Sequence, residues 1–176
     1  VDDGTTSDQG TVTLVITSTD DPPELEADVY TDVVGNSTYF VGSADGLLAN
    51  DLEPDNDPLT AIEEAVVTAA GGSLTIHADG SFEYQPPFTY TGPDSATYQA
   101  TDTFSTLGQT VDFTVSDMVW YVDNRSSGAG SAVDPFGSLS EAFSAAEASH
   151  VIHVDSGDGT ETGLDVGCGH AAHSDG

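Results

Sequence analysis

Lysine is absent from this chain of 176 residues, and arginine occurs once, at Arg125, against 31 acidic residues, for a formal charge of −30. Nucleic-acid phosphates are bound through lysine and arginine, so that function is excluded. Attraction of a basic patch to an anionic lipid surface is excluded for the same reason. Charge of this size repels itself in a compact state unless counter-ions relieve it. Two reliefs are available: bound divalent cations, or a salt-rich setting that screens the charge. The absence of lysine goes further than cation binding needs and points to a halophilic background. Cysteine occurs once, at Cys168, so no internal disulfide can form. No run of about 20 apolar residues occurs, so no membrane insertion is expected. The opening Val1-Asp2-Asp3 lacks the basic and apolar regions of a secretion signal, and the expectation is an interior piece of a longer polypeptide. Also missing are a nucleophile elbow, an HExxH zinc motif, a phosphate loop and a Cys/His dyad. Paired carboxylates abound, but in so acidic a chain they arise by chance, and no catalytic residue is assigned.

What is present is organised around Leu47 to Thr60, LLANDLEPDNDPLT. Asp51, Glu53, Asp55 and Asp57 fall at alternate positions there, interrupted by Pro54 and Pro58. Two prolines forbid a helix or a central strand, which makes this a loop. Oxygen donors at such density suit a hard divalent cation, calcium above all; the alternative is a solvated acidic turn.

Three phrases carry a resemblance: LLANDLEPDNDPLT, then GGSLTIHADGSFEYQP at 71–86, then YTGPDSATYQATD at 90–102. Residues 24–116 resemble the cadherin-like, immunoglobulin-like tandem repeats of large bacterial and archaeal surface proteins. The resemblance implies a calcium-binding β-sandwich in an adhesin or other extracellular protein. It implies further that junction carboxylates, Asp20 and Asp28 among them, meet the acidic loop around the ion. The candidate metal ligands are therefore Asp20, Asp28, Asp51, Glu53, Asp55 and Asp57. Three positions depart from the pattern. Asn56 and Thr103 stand where glycine is usual, and Ala96 stands where an aromatic is usual.

Along the chain, Thr11 to Thr17 reads as a strand whose counterpart is Thr110 to Val115. Residues 1–19 are thus expected to be the closing hairpin of a preceding repeat, with 20–117 the complete one. Inside it, strands are expected at Val29–Val33, Thr38–Val41 and Leu59–Val67. The clearest hairpin joins Ser73–His77 to Ser81–Gln85 through Asp79-Gly80, with Leu74, Ile76, Phe82 and Tyr84 facing the core. His77 is read as an exposed strand histidine, not a ligand. Thr97–Thr101 and Thr110–Ser116 form the closing hairpin. Short strands at regular spacing argue for an all-β sandwich.

After Ser116-Asp117 the pattern changes. Met118–Val122 reads as a strand, Ser138 and Glu141 as a capping box for a helix with Leu139, Ala142, Phe143 and Ala146 on one face, and Val151–Val154 as the next strand. WYVDN, DPFGSLSEAF and VIHVDSG together resemble the start of right-handed parallel β-helix domains of the pectate-lyase-like kind. That gives 118–158 as a truncated β-helix start with a capping helix. Residues 159–176 are glycine-rich and aperiodic; Cys168, His170 and His173 match no structural zinc spacing, and a flexible tail is expected.

These resemblances imply an extracellular calcium-binding repeat serving adhesion or structural spacing. Its expected partners are neighbouring repeats and a cell-surface protein or glycan. The alternative is an accessory part of a secreted polysaccharide-degrading β-helix enzyme whose catalytic coils are absent. A stack of coils buries its own core only when about three are present. Residues 119–158 expressed alone should therefore melt without a cooperative transition, and a sharp calorimetric peak would refute the β-helix-start reading.

Overall fold

The computed structural model describes residue 4, residues 10–15 and 19–155, and the backbone of 172–174. Ten strands, one α-helix and a short 3-10 turn at Ser43–Asp45 are present among them: β1 (Asp28–Gly35), β2 (Tyr39–Val41), β3 (Thr60–Ala61), β4 (Glu64–Val67), β5 (Ser73–Ile76), β6 (Phe82–Gln85), β7 (Gly92–Thr101), β8 (Thr106–Val122), α1 (Leu139–Ala145), β9 (Val151–Val154) and β10 (Ala172–Ser174). Two sheets face each other. One has the order β1-β8-β7-β3, with β1 parallel to β8 and the other pairs antiparallel. The second is wholly antiparallel, in the order β2-β6-β5-β4. The expected all-β sandwich is what forms.

Alternation explains why these residues choose these faces. In the β5–β6 hairpin, Leu74, Ile76, Phe82 and Tyr84 are each at most 1% exposed, while Thr75 and Glu83 point to solvent. They meet Val111, Phe113 and Val115 of β8 and Tyr98 of β7 in one core. Tyr84 stacks on Phe113 with ring centroids 4.0 Å apart, and Phe82 meets Tyr30 edge-on at 5.0 Å. Each such ring buried contributes roughly 1.5–3 kcal/mol, and this is the main adhesion between the sheets.

The hairpin turn differs from the expected two-residue form. His77 N donates to Ser81 O and Gly80 N to His77 O, each at 3.0 Å, which makes a three-residue loop closed by a left-handed residue. Only Gly80 has positive φ there, at 80°. A Cβ on Gly80 would also lie 2.9 Å from Leu48 Cγ.

The expected strand Leu59–Val67 is in fact two. β3 pairs with β7, whereas β4 pairs with β5, so the chain changes sheets at Ile62-Glu63. Conversely, Thr106–Val122 is one strand where a break was expected after Ser116-Asp117. What changes there is the buried face. Val111, Phe113 and Val115 point into the sandwich, but Met118, Trp120 and Val122 are buried in the other phase. A shift of one residue sends side chains to the opposite face of a strand. The end of β8 therefore belongs to a second small core with Ile152 of β9, with Leu139, Ala142 and Phe143 of α1 and with Ala146, which caps that helix. There β8, β9 and β10 pair in parallel. The helix cap is also a variant of the expected box. Ser138 Oγ accepts from Glu141 N at 3.4 Å, but the Glu141 carboxylate takes the Ser138 hydroxyl at 2.9 Å, not its backbone N–H.

Residues 11–15 of the expected strand Thr11–Thr17 lie outside any strand, with Val12, Leu14 and Val15 exposed. The rest of the expected 1–19 hairpin, apart from residues 4, 10 and 19, and the expected tail, apart from β10, lie outside the described residues, Cys168 and His170 with them.

Gly80→Ala should destabilise the sandwich by at least about 1–2 kcal/mol, the cost of a left-handed L-residue. Gly108→Ala, whose Cβ would meet only Tyr98 O at 3.6 Å, should not. Urea denaturation of the two variants checks this.

Candidate metal centre

Prolines keep residues 51–58 out of regular structure, and the junction before β1 is fastened to them. Glu24 and Leu52 exchange backbone hydrogen bonds at 2.8 and 3.0 Å, an isolated antiparallel bridge. Asp21 N donates to Asp55 Oδ2 at 2.7 Å, and Glu26 N to Asp51 Oδ1 at 2.8 Å. Within the loop, Asp57 N donates to Glu53 Oε2 at 2.6 Å. The left-handed Asn56, at φ 62°, turns the chain between Asp55 and Asp57. Carboxylates thus organise the loop by accepting backbone N–H groups, and each still has an oxygen to spare.

The six candidate ligands separate into two places. Asp20, Asp55 and Asp57, with Phe104, line an open cleft of about 410 Å³. The Asp20 carboxyl is pushed above its ordinary range, first by loss of solvent and then by the charges of Asp102, Asp55, Asp57 and Glu53. These five carboxylates form one electrostatic group. Glu53 contributes a buried oxygen, Oε1, with no hydrogen-bond partner.

Asp28 and Asp51 stand in the other place. Asp28 is 6% exposed, and its Oδ2, like Asp51 Oδ2, is buried without a partner. Burial pushes the Asp28 carboxyl from 3.8 up to about 6. The charge of Asp51 adds to the rise, and the nearby polar Tyr98 and Asn50 side chains oppose it. The Asp51 carboxyl is raised as well, again by burial first, against the hydrogen bond from Glu26 N.

Asp102 is the residue of the first group that sequence reasoning left out. It is fully buried at the end of β7. Its Oδ1 accepts Phe104 N at 2.8 Å and Ser105 N at 2.6 Å, and its Oδ2 has no partner. Its signal was the left-handed Thr103, at φ 86°, standing where a glycine was expected: a turn so strained needs an anchoring acceptor beside it. Asp94 is the contrasting case. It is 5% exposed, yet it accepts from Thr68, Ala70 N, Tyr84 and Ser95 N, and those bonds outweigh its burial and hold the carboxyl below its ordinary range. A carboxylate so satisfied is structural.

Arg125, the one lysine or arginine of the chain, pairs with Asp123 at 3.1 Å. Among the described residues, no three His, Cys, Asp or Glu side chains stand as a group that could hold a metal ion. The donor chemistry fits a hard cation all the same: each place combines carboxylates with a buried oxygen that accepts nothing.

The sequence profile of the bacterial cadherin-like domain matches residues 20–117. No curated protein matches the chain. Among solved structures, an endo-fucoidan hydrolase from glycoside hydrolase family 107 aligns with TM-score 0.36 and 17% identity over 53% of this chain and 15% of its own. A second endo-fucoidan hydrolase of that family gives 0.39 and 13% over 58% and 17%. Human protocadherin-24 EC1-2 gives 0.37 and 14% over 58% of this chain and 54% of its own. The chain thus spans well under two thirds of each of these proteins.

A carboxyl raised by folding stabilises the fold below its unfolded pKa and loses that contribution as pH rises through the folded one. In chelator, the Asp28 contribution should be full below about pH 4 and gone above about pH 6. It should amount to on the order of 3 kcal/mol. Melting temperature should therefore fall across this window, and Asp28→Asn should flatten the slope. An equal slope in Asp28→Asn would assign the effect elsewhere.

Proposed function

The chain belongs to the bacterial cadherin-like family through residues 20–117, and from that premise we propose that it is an extracellular, calcium-stiffened repeat serving adhesion or structural spacing. The observation that carries this reading is the group formed by Asp20, Glu53, Asp55, Asp57 and Asp102. Asp20 lies in the junction before the sandwich, Asp55 and Asp57 in the acidic loop, and Asp102 at the end of β7. An ion held by all three segments restrains the junction against the domain. It also removes the mutual repulsion of the group and supplies a partner for the buried Asp102 oxygen. Calcium takes six to eight oxygens from carboxylates, carbonyls and water, so the side chains need only draw together around it. We assign no catalytic role to the repeat. Its partners are neighbouring repeats of the same polypeptide and a cell-surface protein or glycan.

A second reading applies to residues 118–158. The parallel pairing of β8, β9 and β10, with α1 in the crossover, supports the start of a parallel β-helix. On that reading the chain is an accessory part of a polysaccharide-degrading enzyme, whose chemistry lies on coils beyond these residues.

A ligand that binds only the folded form stabilises it by RT ln(1 + [L]/Kd). Extracellular calcium sites commonly bind at roughly 0.1–1 mM, so a few millimolar calcium should add about 1 kcal/mol per site. Melting curves at fixed pH in chelator, in millimolar calcium and in molar potassium chloride separate the ion from simple screening. The expected result is a rise specific to calcium, abolished by Asp55→Ala with Asp57→Ala. A rise in molar salt with none in calcium would reduce the repeat to an inert spacer with a solvated acidic loop.

A further inference from the structure

We propose that the seam between the sandwich and the part that follows it holds a binding site for a neutral saccharide. The site is a cavity of about 350 Å³. Asn36, Thr38, Gln85 and Phe88 of the sandwich line it, together with Ser131 and Val133 of the loop between β8 and α1. Small-molecule sites of roughly 300–1,000 Å³ favour such seams. Ser131 and Val133 lie outside the matched residues 20–117, so the cavity is made by the two parts together.

Its lining carries no charged side chain, although the chain has a net charge of −30. The clefts beside β1, at the junction and beside Trp120 each include a carboxylate. A cation finds no counter-charge in the seam, and an anion meets the repulsive field of the whole chain. What the lining offers is amides and hydroxyls beside an aromatic ring. Asn36 is 3% exposed, and its Oδ1 accepts Thr89 N at 2.9 Å, which orients the amide. Its Nδ2 is buried and has no acceptor. Thr38 Oγ1 donates to Gln85 Oε1 at 2.7 Å, while Gln85 Nε2 reaches Ser37 O only at 3.5 Å. Ser131 Oγ accepts Asp134 N at 3.1 Å and keeps a hydrogen to donate. Phe88 is half-exposed and is steadied by its edge-on contact with Trp120. Val133 adds an exposed apolar side chain. A sugar matches this lining: its hydroxyls accept from the amides and pair with the serine and threonine, and its C–H face packs on the phenyl ring. A lipid chain would leave the Asn36 donor unmet, and an unmet buried donor is costly.

The proposal deepens the adhesive reading, on which it rests for a glycan partner, and needs no ion. Saturation-transfer NMR of the full chain tests it, with millimolar cellobiose, maltose, lactose and mannobiose, each beside its uronic-acid counterpart. At least one neutral disaccharide should bind, and its acidic counterpart should bind at least about tenfold more weakly. Phe88→Ala should weaken the neutral sugar roughly tenfold. Ala132→Trp, at an exposed position of the lining, should block the cavity and abolish binding. Phe40→Ala, which removes an exposed ring outside the cavity, should bind as the parent chain does. Thermal melts check that each variant is folded; if Phe88→Ala does not fold, Ala132→Trp carries the test. Binding by none of the neutral sugars would overturn the proposal, as would binding that survives Ala132→Trp or prefers the acidic forms. Binding should be equal in chelator, in calcium and in molar potassium chloride, and a requirement for calcium would also overturn it. Failure of the junction reading shows differently, as melting curves indifferent to calcium in a chain that still binds the sugar.

Discussion

Negative charge without an internal counter-charge is the constraint to which the rest of this structure answers. A chain with one arginine and no lysine cannot form the ion pairs by which carboxylates are usually settled. Three fates stand out among its acidic residues. Those at outward strand positions, such as Glu83 and Asp112, stay in water. Asp94 is buried and held by hydroxyl and backbone donors. A third set, Asp28, Asp51, Glu53 and Asp102, carries buried oxygens that no donor meets. This last set gathers where the junction meets the sandwich.

Fastening of the junction follows from the same chemistry. Carboxylates of the 51–57 loop accept N–H groups from Asp21, Glu26 and Asp57, so the acidic side chains themselves draw the linker onto the loop. The Glu24–Leu52 bridge then sets the register of that contact. Hydrogen bonds to charged acceptors are stronger than neutral ones, which offsets part of the repulsion their crowding creates. A cation would complete this arrangement, since the loop is already shaped by bonds that leave oxygens over.

The other organising element is β8. It is a central strand of the sandwich along its first part and an edge of the small parallel sheet at its end. The two cores share one uninterrupted backbone, with the buried face reversing at Ser116-Asp117. A hinge of Gly or Pro would uncouple them; a continuous strand instead transmits the orientation of one to the other. The Phe88 ring, which meets Trp120 edge-on with centroids 6.2 Å apart, extends the contact between the two parts.

Local pattern in the sequence determined most of the sandwich. Alternation placed Leu74, Ile76, Phe82 and Tyr84 inside, the prolines made 51–58 a loop, and the 3.6-residue period with Ser138 and Glu141 located α1, because each of these depends only on neighbours a few residues apart. Composition alone showed that no internal cation would balance the acids. The tertiary structure decided what depends on distant partners. It divided Leu59–Val67 between two sheets and kept β8 whole through a change of buried face, which in sequence looks the same as a break. It brought Asp102 to Asp20, separated Asp28 and Asp51 from the carboxylates of the junction, and gave Asp94 the four donors that the others lack. Alternate spacing of acids says that oxygens are available; which oxygens remain unsatisfied is set by packing, because burial and hydrogen bonding are properties of the folded surroundings.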